Sequence, residues 1–149
     1  MEKTNACRIL DQKRINYDLL TKDEVNNNQY FIDNNLIFKT LVTSSSKGEH
    51  YVFVIPISAE LDLKKAAKSV SEKSIQMIPQ KELLPLTGYI HGGCSPIGMK
   101  KEFKTVIDIY AEICEEIIVS AGDVNLRLKI NPNDLFNVLK NVKYDDLTV

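Results

Sequence analysis

Tryptophan is absent from this chain, histidine occurs twice and cysteine three times in 149 residues. Cys7, Cys94 and Cys114 are irregularly spaced and form no CxxC pair, so neither a disulfide framework nor a zinc ribbon is expected. His50 and His91 stand far apart, and no metal or other cofactor is expected. No apolar run approaches the roughly eighteen residues of a membrane span, and no signal-like segment follows the N-terminal residues, so a cytoplasmic location without membrane contact is the expectation. Charge of one sign is lacking too: the formal net charge is -1, which argues against a general DNA or RNA binder. Repeats and linkers are missing, and a 44% hydrophobic content suits one domain over residues 1–149 with a sizeable core.

Glycine is scarce, at six residues, yet four of the six fall between Thr87 and Lys101. That stretch reads Thr87-Gly88-Tyr89-Ile90-His91-Gly92-Gly93-Cys94-Ser95-Pro96-Ile97-Gly98-Met99-Lys100-Lys101. Clustered glycines mark tight turns or close approach to the main chain, and Pro96 fixes one further φ. A loop so shaped offers free amides beside positive charge, a setting for a phosphate or a developing oxyanion. The order GxxxxGK[ST] is missing, and no dinucleotide fingerprint is present. The plain alternative is a structural turn between two strands.

Periodicity predicts a first helix over about Asn5–Arg14, capped by Thr4 or Asn5, and a strand over Ile15–Leu20 that leaves Tyr17 partly inside. Residues 21–35 read as a polar loop, with room for a short helical turn, anchored by Tyr30 and Phe31. Ile37-Phe38-Lys39-Thr40-Leu41-Val42 reads as a strand, followed by a turn at Ser44–Glu49 and a returning strand over His50–Ile57, closed by Pro56. Asp62 caps a helix to about Val70 with Leu63, Ala66, Ala67 and Val70 inside. A short strand over Ser74–Ile78 and a helical turn stopped by Pro85 precede the glycine loop. Beyond it come strands at Thr105–Ile109, Glu116–Ser120 and Asn125–Ile130, with Ala121-Gly122-Asp123 as a turn. In the last strand Leu126, Leu128 and Ile130 alternate with Arg127 and Lys129, which gives it one wet face. Asn131-Pro132-Asn133-Asp134 starts a final helix, and Tyr144 and Leu147 anchor the tail. Hairpins mixed with helices predict an α+β domain: a mixed, strongly curled, barrel-like sheet surrounded by helices.

Two features carry chemistry. Lys39 interrupts an apolar strand, so its amine either snorkels to the surface or enters a cavity. Residues 64–104 hold eight lysines and three glutamates, a local charge of +5. Lys64, Lys65, Lys68, Lys100, Lys101 and Lys104 could therefore meet a phosphate backbone, or could simply form a solvated face. Asp134 already has a structural use as a carboxylate in a first helical turn.

The Lys39 strand, the glycine loop, Val119-Ser120-Ala121-Gly122 and Asn131-Pro132-Asn133-Asp134-Leu135 together resemble the YbaK/EbsC family. Its relatives include free-standing aminoacyl-tRNA deacylases and the editing insertion of bacterial prolyl-tRNA synthetase. The likeness spans roughly residues 4–148 and is nearest to the branch that acts on Cys-tRNA(Pro), and in some settings Cys-tRNA(Cys). It implies a curled sheet with a pocket for the aminoacyl ester at the 3′ end of a tRNA, and a prolyl-tRNA synthetase complex that supplies tRNA selection. It carries the invariant lysine to Lys39, the first-strand tyrosine to Tyr17, the key pocket glycine to Gly98 and the aspartate after the Asn-Pro segment to Asp134. Ser95 and Pro96 match the loop signature, with Thr40, Gly93 and Cys94 beside them in the expected pocket. The segment between Tyr17 and Lys39 is shorter than usual for the family, and His91 stands where an arginine is common.

The resemblance also implies cleavage without a protein nucleophile: the substrate's thiol attacks its own ester and departs as a thiolactone. Lys39 and the loop amides would supply charge stabilisation, and positioning the thiol would supply proximity. Rival readings are a Cys94–His91 nucleophilic pair, Ser95 as nucleophile, water-mediated removal of alanine or another amino acid, and a non-catalytic aminoacyl-tRNA binding module.

Overall fold

The computed structural model describes residues 3–27 and 36–149; the expected anchors Tyr30 and Phe31 lie outside them. The chain runs α1 (Asn5–Gln12), β1 (Asp18–Thr21), α2 (Lys22–Asn26), β2 (Phe38–Ser45), β3 (His50–Pro56), α3 (Leu63–Ser69), β4 (Ile75–Met77), α4 (Leu83–Thr87), β5 (Lys104–Asp108), β6 (Ile117–Asp123), β7 (Leu126–Ile130), α5 (Pro132–Val138) and β8 (Val142–Asp145). Short 3-10 turns occupy Gln80–Glu82 and Ile109–Ile113.

Local chemistry sets most boundaries. Thr4 caps α1 through the Cys7 amide at 3.3 Å, and Arg14 at φ 58° ends any continuation of that helix. Asp62 accepts from the Lys64 and Lys65 amides at 3.0 and 3.1 Å, and Asn131 caps α5 with Pro132 at its first position. Pro85 does not stop its helix as expected; it sits inside the first turn of α4, where a missing N–H leaves no bond unmade, and Gly88 ends the helix instead. Ala121-Gly122-Asp123 is no turn but the bulged end of β6. The tail contributes a strand that periodicity missed, β8, paired in parallel with β5.

The strands sort into two sheets, ordered β1-β7-β6 and β4-β2-β3-β5-β8. This corrects the expected curl. The sheet is mixed and flanked by helices, but it does not close or roll into a barrel. Closure needs an unbroken ladder of hydrogen bonds around the circumference. Here the two sheets are bridged backbone to backbone, among the described residues, at one pair only, Ile37 and Ile118. β4 covers only Thr43–Ser45 of β2, so beyond the Ile37 bridge no ladder among the described residues flanks the front half of β2 on the side away from β3.

The larger core lies between the sheets: Val42, Val52, Val54 and Ile107 face Val119, Leu128 and Ile130, with Leu10 of α1 and Leu135 of α5 sealing it. On the other face of the five-stranded sheet, Phe53, Ile55 and Val106 pack under Ala66, Ala67 and Val70 of α3 and under Leu147. β3 is thus buried on both faces, which explains its unbroken apolar run. Leu63, expected inside, is exposed. The buried Asp108 carboxylate accepts from the Tyr110 and Leu147 amides at 3.1 and 2.9 Å and ties the tail to β5.

Candidate active site

A cavity of about 390 Å³ opens beside the front half of β2, where β4 does not reach. β2 contributes Lys39 and Thr40, the glycine loop His91, Gly92 and Cys94, and the other sheet Ser120 and Arg127. Residues of both parities along β2 line it, so the cavity runs along the strand's edge rather than under one face. The register explains what that edge offers. The Ile37 carbonyl accepts from the Ile57 amide, and the Ser45 amide donates to the Glu49 carbonyl, each at 2.8 Å. Odd-numbered residues of β2 therefore bond β3, and the Thr40 amide and carbonyl point the other way. β4 does not extend to Thr40, so neither group meets that strand. The Thr40 hydroxyl is buried without a partner among the described residues. An unmet polar group of this kind favours a polar ligand or ordered water.

The glycine loop divides into two parts. His91 and Gly92 are exposed at the cavity. Gly93 is packed so tightly that a Cβ would lie 3.0 Å from the Val124 amide nitrogen and 3.2 Å from the Asp123 carbonyl carbon. Only glycine brings the loop this close to the β6–β7 turn, and so beside Arg127. Cys94 is buried, and burial pushes its thiol up to about 11, against the opposing effect of a Thr87 hydrogen bond. At neutral pH it is a thiol, which is a poor nucleophile.

The second part turns away. Ser95 is fully buried, and its hydroxyl accepts from the Ile97 amide at 3.2 Å, so it shapes the turn. Pro96, Gly98 and Lys101 line a separate cleft of about 290 Å³ against α1 and the end of α5. Gly98 has φ 82°, and a Cβ there would lie 2.8 Å from Asn5 Nδ2 and 2.9 Å from the Tyr89 hydroxyl.

The remaining expected site residues also lie apart from the cavity. The Tyr17 hydroxyl donates to Asp11 Oδ1 at 3.0 Å, and burial, then that carboxylate, push its pKa well above the usual phenol value. Asp134 sits in the first turn of α5. Lys65 donates to Asp146 and to the Thr148 carbonyl at 2.9 and 2.7 Å, and the Asp146 bond leads the causes that raise its pKa. Lys64 and Lys68 are exposed on α3, Lys100 and Lys101 follow the loop, and Lys104 opens β5.

Sequence reading missed Gly92, Ser120 and Arg127 as cavity residues. Ser120 lay within a quoted segment of the resemblance, but Arg127 read only as one of two wet-face cations. Its partner in that reading, Lys129, is indeed paired outward, 3.4 Å from Asp18. Arg127 is half-buried at the seam, and burial lowers its pKa below the usual guanidinium value.

Among the described residues no cluster of three or more His, Cys, Asp and Glu side chains is placed to hold a metal. No helix among them is long and apolar enough to cross a membrane.

Comparison with known proteins adds independent findings. The aminoacyl-tRNA editing domain matches residues 20–138. The candidate Cys-tRNA(Pro)/Cys-tRNA(Cys) deacylase EbsC of Enterococcus faecalis is 40% identical over 156 aligned positions, covering 99% of this chain and 94% of that protein. The proline–tRNA ligase of Pelobacter propionicus is 30% identical over 115 positions, covering 72% of this chain and 20% of the enzyme. A crystal structure of a candidate trans-editing enzyme for prolyl-tRNA synthetase superposes with a TM-score of 0.83 at 21% identity, covering 100% of this chain and 99% of that one. At that identity the likeness is one of fold.

Proposed function

The chain belongs to the aminoacyl-tRNA editing family in its YbaK/EbsC branch, and from that premise we propose that it is a trans-editing hydrolase that deacylates mischarged Cys-tRNA(Pro). One observation carries the chemical reading. Lys39, the unpartnered Thr40 hydroxyl and the exposed part of the glycine loop share one cavity along the edge of β2. The acylated 3′ end enters there. Lys39 meets the ester carbonyl and stabilises the negative charge that develops on its oxygen, with the Thr40 amide as a second donor.

The substrate supplies the nucleophile. Its thiol sulfur bonds to the carbonyl carbon, the ester C–O bond breaks, and the proton lost by the thiol ends on the released ribose hydroxyl. Cysteine leaves as a thiolactone, and free tRNA remains. Holding sulfur and carbonyl in reach supplies the proximity term. A protonated, buried Cys94 fits a scheme with no protein nucleophile. Gly93 serves by close packing, and Ser95, Pro96 and Gly98 by fixing the loop. Tyr17 and Asp134 support α1 and α5 behind it. Cys-tRNA(Cys) is the second substrate of this reading, and residues 1–149 act as a single editing domain. Selection of the tRNA falls to a prolyl-tRNA synthetase partner, with Lys64, Lys68, Lys100, Lys101 and Lys104 available to the phosphate backbone; Lys65 is already engaged.

The test is a substrate panel. Cys-tRNA(Pro) should lose cysteine as the thiolactone, while Ser-tRNA, Ala-tRNA and Pro-tRNA, which lack the thiol, persist. Equal loss of Ser-tRNA and Cys-tRNA would replace the thiol by water as attacker, and binding without turnover would make the chain a carrier module.

A further inference from the structure

Arg127, the second residue of β7, stands opposite Ser120 of β6 and Leu20 of β1, on the face turned from the main core. Its Nη1 donates to the Val124 and Leu126 carbonyls, each at 3.0 Å, which pins one corner of the guanidinium at the β6–β7 turn. Nε and Nη2 have no partner among the described residues. No carboxylate there lies within ion-pair distance of it, although Asp123 acts on it from further off. A half-buried guanidinium held in a fixed orientation, with donors unspent, is costly unless a ligand meets it. It lines the same cavity as Lys39.

The two cations differ in kind. An ammonium is a point charge that suits a single carbonyl oxygen, while a guanidinium presents a planar fork that matches two oxygens of one phosphate. We propose that Arg127 is a binding and positioning residue that grips the 5′-phosphate of the terminal adenosine, and that this grip sets the ester against Lys39. The inference rests on the deacylase reading above and adds to it a specific anchor on the nucleotide.

The experiment uses two small esters, 3′-O-cysteinyl-AMP and 3′-O-cysteinyl-adenosine, which differ by one phosphate. The wild-type protein should show a kcat/KM about tenfold or more higher on the phosphate-bearing ester. Arg127→Gln should reduce that preference to under about twofold, mainly through KM, and Arg127→Lys should keep part of it. A wild-type protein that cleaves both esters without preference, or an R127Q protein that loses activity on both equally and keeps the preference, overturns the assignment and leaves the deacylase reading standing. Cleavage of neither ester removes both. Should R127Q melt markedly lower than wild type, the decision passes to R127K, whose preference must fall between those of the other two proteins; an unchanged preference in R127K refutes the need for the fork.

Discussion

His91–Cys94 and Ser95–Gly98 are adjacent quartets of one glycine-rich loop, and their surroundings differ. In the first, His91 and Gly92 are exposed at the cavity that Lys39 lines, and Gly93 is pressed onto the β6–β7 turn. In the second, Ser95 and Ile97 are buried and Gly98 is wedged between Asn5 and Tyr89, with the Tyr89 hydroxyl donating to the Ile97 carbonyl at 2.5 Å. A signature that reads as one unit thus holds two kinds of constraint. One part faces the cavity, and the other holds that part still by bonding it to Asn5 of α1 and to Tyr89. Recurrence of residues in such a loop therefore does not say which of them touch the reacting atoms.

The sharpest way to break the comparison is at Lys39, which lines the same cavity as the exposed part. Lys39→Ala should cut kcat/KM on Cys-tRNA(Pro) by about 10² to 10³, roughly 3–4 kcal/mol, with the melting temperature little changed, since one charge-stabilising donor is removed. Single-turnover deacylation beside a thermal melt would check it; near-normal turnover would strip Lys39 of its role. Next comes the buried part. Gly98→Ala forces a side chain into φ 82° against Asn5 and Tyr89, and should cost roughly 1–3 kcal/mol of stability. Activity per folded molecule should fall far less than in Lys39→Ala. A folded G98A protein with a hundredfold lower rate would move Gly98 into the reacting site.

Cys94, where the parts join, should show a smaller effect. Cys94→Ala should lower turnover by under about tenfold, roughly 1.4 kcal/mol, because its protonated thiol does not attack. The same thiol should make the fold sensitive to alkali. Its folded pKa of about 11 exceeds the ordinary 9.0, so its contribution is complete below pH 9 and is lost as pH rises through 11. Urea midpoints at pH 8 and pH 11 should differ less in Cys94→Ala than in wild type. Smallest of all, Lys101→Gln, just past the buried part, should weaken tRNA binding only about twofold to threefold at low salt and not at all at high salt. A loss that survives high salt would mean that the cleft behind the loop takes part in recognition.

Much of the chain was legible because short-range chemistry fixed it. The caps at Thr4, Asp62 and Asn131 each depend on a side chain and an amide two or three residues away, and the β2–β3 pairing depends on a tight turn between two apolar runs. Lys39 stood out for a similar reason, as one charge in an apolar strand. Arg127 did not, because alternation along β7 separates the core face from the other face but cannot say that one end of the other face meets a second sheet. The barrel-like curl failed on the same ground: the seven strands expected from periodicity can close or stay open, and the difference lies in which edges pair.

Composition and local pattern alone determined that this would be a mixed α+β chain, with a rigid glycine loop and one suspicious lysine, since these follow from dihedral preferences and hydrophobic spacing. Tertiary structure alone decided that β2 keeps a bare edge, that Thr40 and Arg127 come to it, and that half of the loop faces away. Those outcomes depend on contacts between segments distant in sequence, from the bridge of Ile37 with Ile118 to the packing of Gly93 against Val124, and no local preference encodes which distant segment supplies the partner.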